Sequence, residues 1–415
     1  MGGKIDNSCW LLVFSCQKKM NTQRIKYMSY RTLREISTIS LILISVLFNT
    51  TQTTAQNVYA NFDITTSWLD FEEVIDVWTK YVQSEDDSIA SQYWNKNEVE
   101  KYGYLAYNLN KLALSPNFLE MVKWGNVQIM SIRKIDEYYK IKSHIYWERN
   151  DSIRTMMYIN VYTKKDQNGD YKLYNAFPIN LKKYWNKETV GYIHFYFPKY
   201  HQFDKVKAIK QNNFITTTLP EIFGTKPDTV HYVFADTQKE MLEVTGIDFL
   251  VGGSGTEKPT GKASKSNNYV HCSGVGEYYP HELFHIFEQS KKYNYRHSWI
   301  SEGIATFLGG SRGKPLAWHI KKANLYFKNH LEINLSEMIN LRNKHIDEYT
   351  GFTYVLGGTI IQLIHEKGGW DLVKEFITNK GNNDEYYKGI EDVLGVPQKE
   401  LNTYIRNELN RLSTK

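Results

Sequence analysis

The chain has 415 residues, enough for two or three domains with substantial hydrophobic cores. Apolar residues make up 41% and charged residues 23% of the sequence, which are proportions of globular proteins and exclude global disorder. Five of the six net positive charges fall in residues 1–55, so the rest of the chain is nearly neutral. This distribution argues against a basic surface for nucleic acid or anionic lipid.

Residues 1–55 have the pattern of a leader that ends in a secretory signal. A basic stretch precedes an apolar run over residues 39–48, and a small, polar segment follows it. The run has about ten residues, whereas a membrane-spanning helix takes about twenty. We therefore expect cleavage near Gln56, a secreted or periplasmic product and no stable membrane insertion after signal removal. A start at Met20 or Met28 would give a leader of more usual length, and a short buried helix or membrane anchor is the alternative.

Residues 56–190 are expected to form a non-catalytic α+β domain. From 57 to about 123, apolar residues such as Phe71, Val74 and Trp78 recur at helical spacing, and 104–119 repeats the pattern. From about Val127 the period changes to two and predicts strands at 138–147, 154–163, 171–176 and 190–197. Residues 166–170 contain Asn-Gly and predict a hairpin turn. Helices followed by an antiparallel meander resemble the cone-shaped folds of the nuclear-transport-factor-2 (NTF2) type.

Residues 191–415 are expected to form a second unit that is mainly helical. A strand at 192–197 precedes a predicted helix at 203–222, with Gly224 as its C-cap, and a strand at 230–234. A polar stretch rich in Gly and Ser covers 252–268, and a long helical region continues to the C-terminus. Cys272 is the one cysteine after the leader, so we expect no internal disulfide.

Residues 281–285 read His-Glu-Leu-Phe-His, a motif with metal-ligand spacing. Residues four apart share a face of a helix, so His281 and His285 can bind one metal ion while Glu282 projects beside it. Pro280 suits the first turn of such a helix, where its missing N–H costs nothing. The alternative is a chance match on a core helix.

Glu302 is the candidate third ligand. A catalytic zinc ion takes three protein ligands and keeps a fourth position for water. Glu302 follows the motif within Trp299-Ile300-Ser301-Glu302-Gly303-Ile304-Ala305, where a second helix can pack against the first. A third histidine six residues after His285 is ruled out, because Lys291 occupies that position. The alternative role of Glu302 is a solvated helix glutamate.

These two motifs together resemble the gluzincin metallopeptidases, particularly the M1-aminopeptidase-like and peptidase-MA-like groups. The resemblance covers about half the chain and implies a small sheet followed by a metal helix, a glutamate helix and a helical C-terminal part. It implies that His281, His285 and Glu302 bind Zn²⁺ and that Glu282 is the general base. It also assigns an oxyanion-stabilising tyrosine to Tyr354, with Tyr349 or a purely structural role as alternatives.

One departure from the M1 pattern concerns substrate binding. The Gly-x-Met-Glu-Asn segment that binds a free amine in M1 aminopeptidases has no counterpart here, and the nearest stretch is 251–257. Its glycines would still let an extended peptide lie alongside. The sequence therefore predicts a secreted zinc-dependent hydrolase acting on a peptide or protein substrate. A zinc hydrolase of a non-peptide substrate and a binding protein with an inactive metal site are the alternatives.

Overall fold

The computed structural model of the chain describes residues 58–60, 71–84, 89, 91–102, 122, 125–252, 258–265, 267–288, 297–378 and 381–414. The strands within these residues are β1 Val58–Ala60, β2 Asn126–Ile135, β3 Tyr138–Arg149, β4 Ser152–Lys165, β5 Tyr171–Tyr174, β6 Trp185–Val190, β7 Ile193–Pro198, β8 Val230–Ala235, β9 Ile247–Leu250, β10 Thr260–Ser264 and β11 Tyr269–Ser273. The α-helices are α1 Phe71–Val82, α2 Lys96–Tyr102, α3 Ala176–Tyr184, α4 Lys205–Asn213, α5 Leu219–Phe223, α6 Gln238–Val244, α7 Pro280–Phe287, α8 Ser298–Gly309, α9 Leu316–Asn329, α10 Phe352–Ile377, α11 Asn383–Leu394 and α12 Leu401–Ser413. These elements make the chain an α+β protein, as the sequence predicts.

The first sheet has the order β1-β2-β3-β4-β5, and β9 also pairs with β4. Strands β2 to β5 are antiparallel neighbours, which confirms the predicted meander. The predicted turn at 166–170 joins β4 to β5, and Gly169 has the positive φ of 86° that such a turn requires. One face of the sheet packs on α1, where Val74, Trp78 and Tyr81 are buried.

The second sheet has the order β10-β11-β8-β7-β6. Its three central strands are parallel, and both edge strands are antiparallel to their neighbours. One face contributes Phe195, Tyr232 and Cys272 to the main core, which also contains residues from α7 to α12. The other face packs on α3 and α6. Because β11 is covered on both faces, all five of its residues are buried.

Several predicted elements differ from those observed. Residues 58–60 form a strand, not part of a helix. The predicted helix at 203–222 is divided by a π-helical turn over Phe214–Thr218, although Gly224 does cap it with a φ of 63°. Strands β6, β10 and β11 were not predicted, and the last two interrupt segments read as a polar loop and a helix. The predicted helical pattern at 104–119 lies outside the described residues.

Two glycines bring α8 and α10 into backbone contact. A Cβ atom on Gly303 would lie 2.7 Å from the carbonyl oxygen of Gly357, and one on Gly357 would lie 2.7 Å from the carbonyl oxygen of Trp299. The two helices therefore cross at a distance that no larger residue allows. This crossing fixes the depth of Glu302, which precedes Gly303 on α8. Over the described part of the chain, no helix is both long and apolar enough to cross a membrane.

Candidate metal centre

The short helix α7 follows the second sheet directly and presents both motif histidines on one side. Pro280 occupies its first turn, as predicted. Leu283 and Phe284 anchor the opposite side in the main core, and full burial of a side chain such as Phe284 contributes about 1.5–3 kcal/mol. His281 and His285 are one helical turn apart, with ring centroids separated by 5.1 Å.

Helix α8 brings Glu302 to the same point. Glu302 Oε2 lies 3.2 Å from His281 Nε2 and 3.6 Å from His285 Nε2. One potential ligand atom from each of the three residues lies within 4.8 Å of the others. Within the described ranges, no other group of three His, Cys, Asp or Glu side chains converges in this way. The structure therefore brings together the three predicted metal ligands.

Hydrogen bonds to the other ring nitrogens orient both imidazoles. His281 Nδ1 donates to the carbonyl oxygen of Gly310 at 2.7 Å, and His285 Nδ1 donates to Glu288 Oε2 at 2.8 Å. Each Nε2 is then the free nitrogen that faces Glu302. Two imidazole nitrogens and one carboxylate, with oriented rings, form the ligand set of catalytic zinc sites, so these residues fit a zinc ion.

The charges of these groups are strongly coupled. Burial favours the neutral forms, but the hydrogen bonds from the two histidines lower the pKa of Glu302 well below its usual range. Burial also lowers the pKa of His285, yet the carboxylates of Glu288 and Glu302 raise it overall. Hydrogen bonding to His285 likewise outweighs burial and lowers the pKa of Glu288. The carboxylates of Glu288 and Glu302 thus stabilise positive charge at this point, carried by a proton on His285 or by a metal ion that replaces it.

Glu282 lies between α7 and the edge strand β10. Its side chain is only 7% exposed, and the backbone N–H of Ala263 donates a hydrogen bond to its carboxylate. A Cβ atom on Gly261 would lie 2.5 Å from Glu282 Cγ, so only glycine leaves room for this side chain. Burial raises the pKa of Glu282, although both histidines and the Ala263 N–H oppose the rise. A buried carboxylate with a raised pKa is suited to proton transfer near neutral pH.

Tyr354 and Tyr349, the two candidate oxyanion donors, occupy different surroundings. The Tyr354 ring packs on His281 with centroids 5.9 Å apart. Tyr349 instead packs on Trp318, with centroids 6.2 Å apart. Burial and the charge of Glu302 raise the pKa of the Tyr354 phenol, so it stays protonated and able to donate. Of the two, Tyr354 is the one that borders the predicted metal ligands.

Several residues around the site were not predicted. Glu288 could have been found from its position three residues after His285, which is one helical turn. Gly310 and Gly261 act through tertiary contacts that leave no sequence signal. Other histidines lie outside this group. Among them, His271 is fully buried, and neither of its ring nitrogens has a hydrogen-bond partner among the described residues.

No protein-family model matches the chain, and no curated protein matches it. The function of this chain is therefore inferred from the arrangement of its own side chains.

Proposed function

We propose that the chain is a zinc-dependent hydrolase that cleaves peptide bonds, with a gluzincin-type catalytic domain. The observation that carries the proposal is the convergence of His281, His285 and Glu302 beside a buried carboxylate, Glu282. A purely structural metal site has no need of that fourth acidic group. The oriented imidazoles support a site preorganised for a metal ion.

The residues around the ligands have complementary roles in the proposed reaction. Zinc, when bound, would supply a Lewis acid that activates a water molecule and polarises the scissile carbonyl. Glu282 accepts a proton from the attacking water and delivers it to the leaving amine. Tyr354 donates a hydrogen bond to the oxygen that becomes negatively charged, a contribution of about 3–4 kcal/mol in comparable sites. The C–N bond breaks, giving a carboxylic acid and an amine.

The edge strand β10 favours a peptide over other substrates. In an antiparallel pair, alternate residues direct their backbone groups toward the partner strand and away from it. The N–H of Ala263 points to Glu282, away from β11, so Gly261 presents its backbone groups to the same edge. Among the described strands, β10 has no second neighbour. An extended peptide can add to this edge by main-chain hydrogen bonds.

Zinc analysis combined with peptide turnover tests the proposal. The purified protein is expected to hold one zinc ion per molecule and to cleave members of a mixed peptide library. Glu282→Gln should keep the zinc and the fold but lose hydrolysis, because the amide cannot accept a proton at neutral pH. Glu221→Gln, at an exposed position on α5, is the matched control and should retain activity. Full activity of Glu282→Gln would refute the mechanism.

A metal-bearing protein that cleaves no peptide would point to the alternatives. Turnover of ester or other amide substrates would indicate a hydrolase of non-peptide substrates. Zinc binding without any turnover would indicate a binding protein with an inactive site. Absence of zinc after reconstitution would refute the metal centre itself.

We also propose that residues 56–190 form a non-catalytic domain of NTF2 type and that the chain is exported. Helix α1 packed on an antiparallel meander supports the former, and the leader pattern supports the latter. Because β6 pairs with β7 across the predicted boundary, a fragment that tests zinc binding should begin at Trp185. It is expected to keep its zinc. N-terminal sequencing of exported protein should give a start near Gln56.

A further inference from the structure

The turn between α8 and α9 carries an arginine in an unusual backbone conformation. The backbone groups of Ser311 and Lys314 hydrogen-bond to each other in both directions at 2.9 Å, so Arg312 and Gly313 are the two central residues. Both have positive φ, 48° and 69°. Turns of this kind favour Asn or Gly at the first central position, because other side chains rarely adopt left-handed φ. Strain of this kind near a functional site points to a role for the side chain.

The same turn is tied to the metal centre. The Arg312 N–H donates to the Tyr279 hydroxyl at 3.2 Å. The Tyr279 ring stacks on His281, with centroids 5.6 Å apart and an interplanar angle of 10°. A Cβ atom on Gly313 would lie 3.8 Å from a side-chain atom of Pro259, the residue before β10. Arg312 therefore lies at the end of the site where β10 begins.

The charge of Arg312 acts on two aromatic rings beside the site. The side chain is half-buried, and it forms no ion pair with any part of the chain that the structure describes. Burial raises the pKa of Tyr354, and Arg312 opposes that rise. Burial and then Arg312 lower the pKa of His345. The rings of Tyr354 and His345 flank Gly351, since a Cβ atom there would lie 3.0 Å and 3.1 Å from them.

Two described acidic side chains near this end of the site already have partners. Glu348 pairs with Lys258 at 3.1 Å, and Asp347 pairs with Lys322. A half-buried guanidinium with no carboxylate partner among the described residues can bind one from outside. Its planar fork forms two parallel hydrogen bonds with a carboxylate, which makes such contacts strong and selective.

We propose that Arg312 binds a carboxylate of the substrate, so that preferred peptides carry a negative charge near the scissile bond at the end of the site bordered by Pro259. This inference rests on the proposed peptidase function. The carboxylate can be the C-terminus of the peptide or an Asp or Glu side chain, because the guanidinium recognises the same group in both. Arg312 is a specificity-determining residue in either case.

Matched peptides distinguish these two sources. The best-cleaved library peptide is synthesised with one, two or three residues after the scissile bond, each as a free acid and as an amide. A second set keeps the amide and compares Asp with Asn at each of those positions. For one of these pairs, the wild type is expected to show kcat/KM about tenfold to a hundredfold higher for the charged peptide than for the uncharged one. This is the range for a lost hydrogen bond to a charged group. The pair that responds identifies the source.

Variants of the turn then assign the preference to Arg312. Arg312→Asn should remove the difference between the paired peptides by lowering kcat/KM for the charged member to the value for the uncharged one. Its melting temperature should stay the same or rise, because Asn tolerates left-handed φ better than Arg does. Lys314→Gln is the control, since Lys314 is an exposed cation of the same turn that lies over Trp318, and it should keep the preference.

Two results would overturn the inference while the proposed function stands. One is wild-type cleavage that is equal for every charged and uncharged pair. The other is an Arg312→Asn variant that slows all peptides alike, which would mean that Arg312 acts through Tyr354. A wild type that binds zinc and cleaves no peptide would overturn the proposed function and this inference together.

Discussion

Replacing Gly261 with alanine tests whether the edge strand controls the position of Glu282, the proposed general base. The added Cβ would lie 2.5 Å from Glu282 Cγ, 2.7 Å from Glu282 Oε1 and 2.7 Å from Tyr279 Cε1. Carbon atoms prefer separations of about 3.5–4.0 Å, so the Glu282 side chain has to retreat by roughly 1 Å. None of the three proposed metal ligands is among the atoms nearest to this Cβ, so they need not move.

The expected consequence is a loss of activity without a loss of metal. A displacement of about 1 Å in a reacting group can reduce the rate about a hundredfold. Overpacking should also destabilise the fold by about 1–3 kcal/mol. The assays are kcat/KM on a cleaved peptide, zinc content by elemental analysis and the melting temperature, all measured beside the wild type.

Lys262→Ala is the control on the same strand, because adjacent residues of a strand face opposite sides. It should leave kcat/KM unchanged. Wild-type activity of Gly261→Ala would refute the reasoning, since it would show that Glu282 does not need the space beside β10. Loss of zinc from the folded variant would also contradict it, because the change would then have reached the ligands.

Four further substitutions probe the site and the second sheet. Glu302→Ala should lower zinc affinity and activity together, because it removes a ligand. Zinc titration beside the activity assay checks this, and unchanged zinc affinity in the variant would contradict it. Tyr354→Phe should keep its zinc and lose about a hundredfold or more in kcat. An unchanged kcat would mean that another residue is the oxyanion donor. Glu288→Gln should weaken zinc binding by about 10–100-fold through loss of the charged partner of His285, as measured by competition with a chelator. His271→Phe should reduce the loss of stability in acid. Burial lowers the pKa of His271 to about 3. Below about pH 6.5 the unfolded chain therefore binds a proton at this histidine that the folded chain does not bind, so the unfolding free energy falls as the pH falls. The unfolding free energy that the wild type loses between pH 7 and 4.5 should be about 3 kcal/mol smaller in the variant, and an equal loss in both would refute the assignment.

The residues that converge at the proposed metal centre were predictable because helical geometry sets their spacing. His281 and His285 lie on one face of any helix, and Glu302 needs only a second helix packed nearby. The alternating strand β3 and the Asn-Gly turn were equally readable, because buried and half-buried residues alternate over most of β3.

The elements that complete the site were hidden for physical reasons. In β10 all five residues are half-buried and mostly small or polar, so no alternation marks the strand. In β11 all five residues are buried, so this strand too lacks an alternation of buried and exposed residues. The partner of His281 is a backbone carbonyl, Gly310, which any residue type could supply. The unusual φ of Arg312 is likewise invisible in an Arg-Gly pair.

The pairing of β9 with β4 has a consequence for the order in which the chain assembles. Asn160 of β4 hydrogen-bonds to the carbonyl oxygen of Gly246, 86 residues later, and β9 follows immediately. Closing a loop of this length costs conformational entropy, and this cost precedes the contacts between β4 and β9 that offset it. During synthesis, part of one edge of β4 therefore stays open until residues 247–250 have emerged, and an open edge can pair with another chain. Substitutions that weaken β9 should then reduce the yield of folded protein more than they reduce the activity of the molecules that do fold.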